Sequence, residues 1–353
     1  MSSSRARTVL IVDDSALLRA ALRDVVAALD GFEVAGTAAD GREAIDAVRA
    51  LRPDIVTLDV EMPGLDGLSA LETIMREAPR PVVMLSGAAS ENGVDLTLRA
   101  LELGAVDFVR KDVADAMTER LRTALRAAAA TNLAAVRRPT PMWTPAQHRR
   151  VAAHAPVVAR AAVVMAASTG GPRALAEVVA SLPADLDAAV LIVQHMPAGF
   201  TAGLARRLAA LTTLPVHEAA DGAAVHAGHI YLAPGGRHLR VVTDTDGARL
   251  VLDDGPTIWG VRPAADPLFV AVAQVFAEAS VGVVLTGMGR DGALGLSAIR
   301  EAGGGAVVQD EASAAVYGMP REALALAGAD RVVAPAGVGV AVADLLAARR
   351  VPR

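Results

Sequence analysis

The sequence predicts an α/β protein of two domains, each built on a doubly wound parallel sheet with helices on both faces. Its 353 residues exceed the size at which a single hydrophobic core usually stops growing. Short apolar runs alternate with stretches of helical period, which is typical of parallel strands that are buried on both faces. The charge is unevenly distributed along the chain, and its changes separate the two domains.

Residues 126–160 form the predicted linker. They include six arginines and no acidic residue, a net charge of +6, whereas residues 1–125 have a net charge of −7 and residues 161–353 of −4. The segment also contains four prolines and has no sustained period after its Ala-rich start, as expected between domains. The acidic second domain has no basic helix, which argues against nucleic acid as a partner.

The composition excludes several other classes of protein. No run approaches the ~20 apolar residues of a membrane span, and the Ser/Arg-rich start lacks the apolar core of a secretion signal, so we expect a cytoplasmic protein without membrane insertion. The absence of cysteine excludes disulfides, thiol nucleophiles and Cys-ligated zinc. Covalent catalysis would therefore need another nucleophile.

Five strands are predicted in the first domain, with amphipathic helices between them. The helical period is clearest for Leu18, Leu22, Val25 and Leu29, which recur at spacings of four, three and four. The strands are expected at about 8–12, 33–37, 54–58, 81–85 and 105–109.

Five polar residues follow these strands, at the sheet edge where ligands bind in such folds: Asp13, Asp14, Asp59, Ser86 and Lys111. Clustered carboxylates repel one another, so they need a hard cation, and oxygen ligands suit Mg²⁺. Lys111 is the only lysine among 34 basic residues, which indicates a position where a compact ammonium is needed instead of a guanidinium. A carboxylate beside the cation could accept a phosphoryl group.

These residues resemble the two-component receiver domains, whose flavodoxin-like fold the strand pattern fits. The matching motifs are Val12-Asp13-Asp14-Ser15, Asp59-Val60-Glu61-Met62-Pro63-Gly64-Leu65-Asp66-Gly67, Ser86-Gly87 and Phe108-Val109-Arg110-Lys111. The resemblance implies that Asp59 is the phosphoacceptor. It also implies a Mg²⁺ site formed by Asp13, Asp14, Asp59 and the main-chain carbonyl of Glu61.

Three further roles follow from the same resemblance. Ser86 and Lys111 would contact the phosphoryl group, and Phe108 would be the aromatic residue that switches position on phosphorylation.

In the second domain, Ser168 lies in a tight turn between a predicted strand and a predicted helix. The apolar run at 162–167 leads directly into Ser168-Thr169-Gly170-Gly171-Pro172, and proline is common at a helix start. A serine there can help to hold a phosphate or can act as a nucleophile whose oxyanion is bound by main-chain N–H groups. The turn alone does not distinguish these alternatives.

Two later strands supply the residues that favour acyl transfer. His195 follows the apolar run 190–193, and Asp291 lies in a Gly-rich turn after the run 281–285. The turn at Ser168 lacks the G-x-G-x-x-G pattern of a dinucleotide site. Ser, His and Asp at the same edge of one predicted sheet therefore indicate a catalytic triad.

The second domain resembles the catalytic domain of the chemotaxis protein-glutamate methylesterases. The matching segments are 167–172, 193–197, 231–235, 285–292 and 309–314. The resemblance implies a Rossmann-like three-layer αβα domain with Ser168 as nucleophile, His195 as general base and Asp291 as the group that orients the imidazole. Main-chain N–H groups near Thr169 and Met288 would be the oxyanion donors.

Together the two resemblances imply a phosphorylation-activated esterase that converts glutamate γ-methyl esters on chemoreceptors to glutamate and methanol, and that could also deamidate glutamines. The expected partners are methyl-accepting chemoreceptors and a chemotaxis histidine kinase, the expected state is a monomer, and the esterase step would need no cofactor. Two alternatives stay open at this point. The second domain could hydrolyse other esters, or it could only bind a partner.

Overall fold

The computed structural model describes residues 5–87, 91–111, 114–136 and 157–349. The chain forms two compact units, Met1–Arg138 and Pro139–Arg353. Within the described ranges, none of the helices combines the length and the apolar character that crossing a membrane requires.

The first unit is a five-stranded parallel sheet in the order β2-β1-β3-β4-β5. Each predicted strand is found, with ends that differ from the prediction by about two residues at most. The strands are β1 (Arg7–Val12), β2 (Phe32–Ala38), β3 (Ile55–Asp59), β4 (Val82–Ser86) and β5 (Asp107–Arg110). The helices are α1 (Ala16–Ala27), α2 (Gly41–Leu51), α3 (Gly67–Glu77), α4 (Glu91–Glu102), α5 (Ala114–Ala129) and α6 (Leu133–Val136).

Side-chain caps set where the first three helices begin. Ser15 accepts a hydrogen bond from the amide of Leu18, Asp40 from the amides of Arg42 and Glu43, and Asp66 from that of Ser69. Each cap satisfies amides that have no partner inside the helix. Since α1 and α3 follow β1 and β3, their capped starts lie beside the carboxyl ends of those strands.

Helices α5 and α6 occupy part of the range 126–160 that the sequence assigned to the linker. Leu125, Ala127 and Ala128 are buried, so the Ala-rich stretch packs on the first unit as well as having a high helix propensity. Residues 137–156 of the predicted linker lie outside the described residues. Near its end Ala159 is buried, and its amide donates to the carbonyl of Val225 (2.9 Å), so the last residues of the range pack on the second unit.

The second unit contains a seven-stranded sheet, a separate two-stranded hairpin and helices on both faces of the sheet. Its strands are β6 (Ala162–Ala167), β7 (Ala189–Gln194), β8 (Val216–Glu218), β9 (Ile230–Leu232), β10 (His238–Asp244), β11 (Gly247–Asp253), β12 (Ser280–Val284), β13 (Gly305–Gln309) and β14 (Arg331–Val333). Its α-helices are α7 (Gly171–Ser181), α8 (Phe200–Ala209), α9 (Ala265–Phe276), α10 (Ala293–Glu301), α11 (Gly318–Ala327) and α12 (Val338–Ala348).

The large sheet is parallel in every pairing and has the order β14-β13-β12-β6-β7-β9-β8. Strand β6 lies between β12 and β7, so the chain moves to one side of β6 first and later returns to the other side. Ligands bind at such a switch point, beyond the carboxyl ends of the strands. Ser168, His195 and Asp291 all follow these three central strands.

Alternate residues of β6 face the two sides of the sheet. Ala162, Val164 and Ala166 belong to one core, which includes Phe269 of α9 and Leu296 of α10. Helices α7 and α12 pack together and contact the sheet through β6 and through β12 and β13. The second unit is therefore the predicted three-layer αβα domain.

Candidate functional sites

Ser168 lies in the turn between β6 and α7, partly exposed to solvent. Its amide donates to the carbonyl of Thr286 (3.0 Å), and its carbonyl accepts from the amide of Gly171 (2.7 Å). Gly170, in the left-handed region at φ 76°, allows the chain to turn sharply into the helix. The serine is therefore held at the N-terminal end of α7, where unpaired amides are concentrated.

The loop after β12 approaches Ser168 very closely. A Cβ atom at Gly287 would lie 2.7 Å from the Ser168 Cβ and would collide with Met319 Sδ. Only glycine leaves room for the backbone there, so residue 287 brings the start of the Asp291 loop against the serine.

His195 is the first residue after β7, beside Ser168 in the sheet. Its amide donates to the carbonyl of Ala167 (3.0 Å), which continues the ladder between β6 and β7 by one step. Its ring Nε2 lies 2.7 Å from Asp291 Oδ2, and its side chain is only 9% exposed. An ionised Asp291 can only accept, so we assign the ring proton to Nε2 and leave Nδ1 as the free base.

Asp291 is buried and has a full set of donors. Besides His195, its Oδ2 accepts from the amide of Ala265 (2.6 Å), and its Oδ1 accepts from that of Asp266 (3.0 Å). Burial favours a higher pKa, but the hydrogen bond and charge of His195 and the two amides together lower the pKa of Asp291 below its usual value. The carboxylate is thus suited to stabilise a protonated imidazole.

Asp266 lies outside the triad predicted from the sequence, and the structure places it against the Asp291 loop. Asp266 Oδ1 accepts from the amides of Gly292 (2.9 Å) and Gly295 (2.8 Å), and Oδ2 accepts from Trp259 Nε1 (2.8 Å). The sequence signal was an acidic residue in the first turn of a helix, which is too common to suggest this contact.

The two residues named as oxyanion candidates flank Ser168 from different loops. Thr169 is buried, and its carbonyl accepts from Thr286 Oγ1 (2.9 Å). Met288 is partly exposed and directly follows Gly287, the point of closest approach to Ser168. The fold therefore holds both backbones near the serine.

In the first unit, Asp13, Asp14 and Asp59 form a compact acidic cluster. One carboxylate oxygen from each residue lies within 4.8 Å of the others. Asp13 and Asp59 are buried, and Asp14 is exposed, so the cluster opens to solvent on one side. This is the arrangement predicted from the carboxyl ends of β1 and β3.

Lys111 bridges the two buried carboxylates. Its Nζ lies 2.6 Å from Asp13 Oδ2 and 2.7 Å from Asp59 Oδ2. Burial raises the pKa of Asp59, and neither the hydrogen bond nor the charge of Lys111 fully offsets this. For Lys111, burial acts to lower the pKa, but the two carboxylates outweigh it and the pKa is raised, so the ammonium stays charged.

The remaining residues of the predicted phosphorylation site lie around this cluster. Ser86, buried at the end of β4, accepts a hydrogen bond from Thr97 Oγ1 (2.8 Å). The amide of Glu61 lies 3.4 Å from Asp59 Oδ1, and Glu61 and Asp14 line one surface pocket. Phe108 is partly exposed on β5.

The donor set of the cluster fits a divalent cation. Three carboxylates offer the oxygen ligands that Mg²⁺ prefers. Asp13 Oδ2 is buried and receives no well-formed hydrogen bond within the described residues, although the Lys111 ammonium is in ion-pair contact with it. A carboxylate oxygen has two lone pairs, so this oxygen can accept a metal ion in addition to its contact with Lys111.

Comparison with known proteins agrees with the division of the chain into two units. Residues 163–342 match the family model described as CheB methylesterase, and residues 9–126 match that of the response regulator receiver domain. A relative from Pyrococcus horikoshii, named protein-glutamate methylesterase/protein-glutamine glutaminase, is 42% identical over 92% of this chain and 89% of its own length. One of the same name from Symbiobacterium thermophilum is 45% identical over 93% of each chain.

A solved structure supports the same assignment for the second unit. The catalytic domain of the CheB methylesterase of Thermotoga maritima is 36% identical, with a TM-score of 0.52, over 54% of this chain and 100% of that domain. The chain therefore belongs to the CheB methylesterase family, with a response regulator receiver domain ahead of the methylesterase domain.

Proposed function

We propose that this chain is a serine esterase, activated by phosphorylation, that hydrolyses glutamate γ-methyl esters on chemoreceptors. The observation that supports it most strongly is the 2.7 Å contact between His195 and Asp291 at the same sheet edge as Ser168. Those three residues are the proposed triad. We also propose that the chain acts as a monomer in the cytoplasm. A histidine kinase would be its phosphodonor, and methylated chemoreceptors would be its substrates.

In the proposed acylation step, Ser168 Oγ attacks the ester carbonyl while its proton moves to His195 Nδ1. Asp291 stays ionised and stabilises the imidazolium through Nε2–H. When the tetrahedral intermediate collapses, the C–O bond to the methoxy group breaks, and that group takes the proton from Nδ1 and leaves as methanol. A glutamyl ester of Ser168 remains.

Deacylation repeats the sequence with water. His195 Nδ1 removes a proton from the water that attacks the acyl carbonyl, and then returns it to Ser168 Oγ as the glutamate is released. A glutamine side chain would follow the same course, with ammonia in place of methanol. No further group has to enter either step.

Main-chain amides near Thr169 and Met288 are the proposed donors to the oxyanion. They belong to two loops that Gly287 allows to meet at Ser168. Donors fixed by the fold need no reorganisation as charge develops on the oxygen, which is why such groups typically contribute about 10²–10³ in rate.

In the receiver, Asp13, Asp14, Asp59 and the carbonyl of Glu61 are the proposed Mg²⁺ ligands. The bound ion would neutralise charge on the phosphoryl oxygens. Asp59 accepts the phosphoryl group from the phosphohistidine of a chemotaxis histidine kinase, forming an acyl phosphate. Lys111 then pairs with the phosphoryl oxygens in place of the Asp59 carboxylate, and Ser86 binds another of them.

The proposal is tested by methanol release from methylated receptor, with and without a small phosphodonor. We expect release from the wild type, an increase with phosphodonor, and a loss of about 10³-fold or more in Ser168→Ala. Ser297→Ala is the matched control, because Ser297 lies on α10 and bonds Glu301 instead of the triad.

Two results would contradict the proposal. If Ser168→Ala released methanol as fast as Ser297→Ala, Ser168 would not be the nucleophile. If the wild type cleaved a chromogenic ester but not methylated receptor, the alternative of a hydrolase of other esters would be favoured.

A further inference from the structure

Helices α9 and α10 begin side by side, and each is capped by a carboxylate near the start of the other. The amides of Ala265 and Asp266, at the start of α9, donate to the carboxylate of Asp291. The amides of Gly292 and Gly295, at the start of α10, donate to Asp266 Oδ1. The position of Asp291 therefore depends on Asp266, although Asp266 lies outside the triad.

The other oxygen of Asp266 is held by an indole. Trp259 Nε1 donates to Asp266 Oδ2 at 2.8 Å, and the Arg290 guanidinium lies 4.9 Å from the centre of the Trp259 ring. Trp259 is 48% exposed and Asp266 is buried, so this hydrogen bond connects the protein surface to a buried carboxylate. The chemistry of the proposed triad does not itself require a tryptophan here.

The backbone of Trp259 is strained. Its φ of 54° lies in the left-handed region, which is unfavourable for a bulky residue. Such a conformation persists only where the surrounding contacts stabilise it. The indole hydrogen bond and the Arg290 contact are two such contacts on the described part of the chain.

We propose that Trp259 is a positioning residue for the reaction, which holds Asp291 in place through Asp266. The proposal rests on the esterase function described above. Without the indole N–H, Asp266 Oδ2 would lose the hydrogen bond that it receives in its buried position, and protonation would become easier. A protonated Asp266 is a weaker acceptor for the amides of Gly292 and Gly295, so the loop that contains Asp291 would loosen.

The pKa values agree in direction with this coupling. Burial raises the pKa of Asp266, the Trp259 hydrogen bond lowers it, and the charge of Asp291 raises it. Removing the Trp259 donor should therefore move the protonation of Asp266 to higher pH.

The test is Trp259→Phe, which keeps an aromatic ring and deletes the N–H donor. Its matched control is Trp143→Phe, the same change at the only other tryptophan of the chain. We expect kcat of Trp259→Phe to fall about tenfold, which corresponds to about 1.4 kcal/mol, with KM within about twofold of wild type. The acid limb of the pH profile of kcat should also move to higher pH. The pKa of Asp266 is higher in this variant, so Asp266 becomes protonated at a higher pH as the pH falls.

A double-mutant cycle with Asp266→Asn separates this role from substrate contact. The amide oxygen of asparagine can still accept from Gly292 and Gly295, but its NH₂ group would face the indole N–H. In that background Trp259→Phe should cause no further loss of kcat. An equal tenfold loss in both backgrounds, or a rise in KM with unchanged kcat, would overturn the proposal.

A substrate-free measurement keeps this test independent of the esterase function. The NMR resonance of the His195 Nε2 proton, which reports the bond to Asp291, should move upfield in Trp259→Phe and stay in place in Trp143→Phe. If it stays in place in both, the positioning role is wrong even if methanol release occurs. If the wild type releases no methanol but the resonance moves, the esterase proposal fails and the positioning contact stands.

Discussion

Lys111 demonstrates how much one side chain can determine at a charged site. It is the only lysine of the chain, and its ammonium lies within 2.7 Å of two buried carboxylates from different strands. A compact ammonium fits between Asp13 and Asp59, whereas a guanidinium is broader and planar. This size difference explains why an arginine-rich chain uses lysine at this position.

Lys111→Arg should therefore separate phosphorylation from activation. We expect Asp59 to be phosphorylated still, because the carboxylate is unchanged, but activation of methanol release by phosphodonor to be largely lost. Mass spectrometry of the acyl phosphate and methanol release are measured on the same sample. Arg110→Lys, the reverse exchange at the neighbouring residue, is the control, and full activation of Lys111→Arg would contradict the prediction.

Asp54 should make stability depend on pH in a defined direction. The hydrogen bond from the amide of Thr8 (2.9 Å) has the largest effect and lowers the pKa of Asp54. Burial opposes it, and the hydroxyl of Thr8 and the charge of Arg7 lower the pKa further. Its contribution to stability is therefore complete above the usual pKa of an aspartate and is lost as the pH falls through the lowered value.

We expect Asp54→Asn to lower the free energy of unfolding by about 0.5–1 kcal/mol near pH 7, a small effect because the side chain is one-third exposed. The difference from wild type should vanish at strongly acidic pH. Urea unfolding at several pH values measures it, and a difference that persisted unchanged at low pH would count against the assignment.

At the scale of elements, the candidate active site depends on three adjacent strands ending at one edge. Strands β12, β6 and β7 lead to Asp291, Ser168 and His195, respectively. The loops after them must approach more closely than side chains usually allow. Gly287 makes this possible because it has no side chain. Its amide also donates to the carbonyl of Val316 (3.0 Å), which fixes the loop from the other side.

Gly287→Ala should damage both stability and turnover. The added methyl group would collide with Met319 and press on Ser168, so we expect a loss of about 1–3 kcal/mol in stability and about 10²-fold in turnover. Gly337→Ala is the control, because its methyl group would meet Val333 at an ordinary 3.5 Å. Thermal unfolding and methanol release are measured for both variants. If Gly287→Ala were as stable and as active as Gly337→Ala, the loop would be able to move aside for the methyl group and the prediction would be wrong.

Across the whole chain, the acyl phosphate forms in one unit and the ester is hydrolysed in the other, so activation has to pass between the two units. Phosphorylation can activate only as far as it favours the active state, and a tenfold effect needs about 1.4 kcal/mol. If the unphosphorylated receiver inhibits the esterase, removing it should have the effect of phosphorylation.

Deleting residues 1 to about 150 should then raise basal methanol release, and Asp59→Asn should keep the full chain at its low basal rate. Both proteins are compared on the same methylated receptor at equal concentration, with circular dichroism as the folding control. A folded truncated protein no faster than the unphosphorylated chain would exclude inhibition and favour activation by the phosphorylated receiver.

Apolar runs in the sequence predict the five strands of the first sheet, the three central strands of the second and the polar residues that follow them. Buried parallel strands are continuous apolar runs, so their ends could be located within about two residues. Because a parallel sheet brings the ends of its strands to one edge, Lys111 could be grouped with Asp13 and Asp59, and Ser168 with His195 and Asp291.

Contacts between individual atoms follow only from the packing of the elements. His195 and Asp291 are 96 positions apart, and Asp266 and Asp291 are 25 apart, so neither contact leaves a local pattern in the sequence. The contact of His195 through Nε2 depends on how α9 and α10 pack around Asp291. The indole hydrogen bond depends on the left-handed backbone conformation of Trp259. Such contacts arise from packing between elements, whereas periodicity reports only which face of one element is buried.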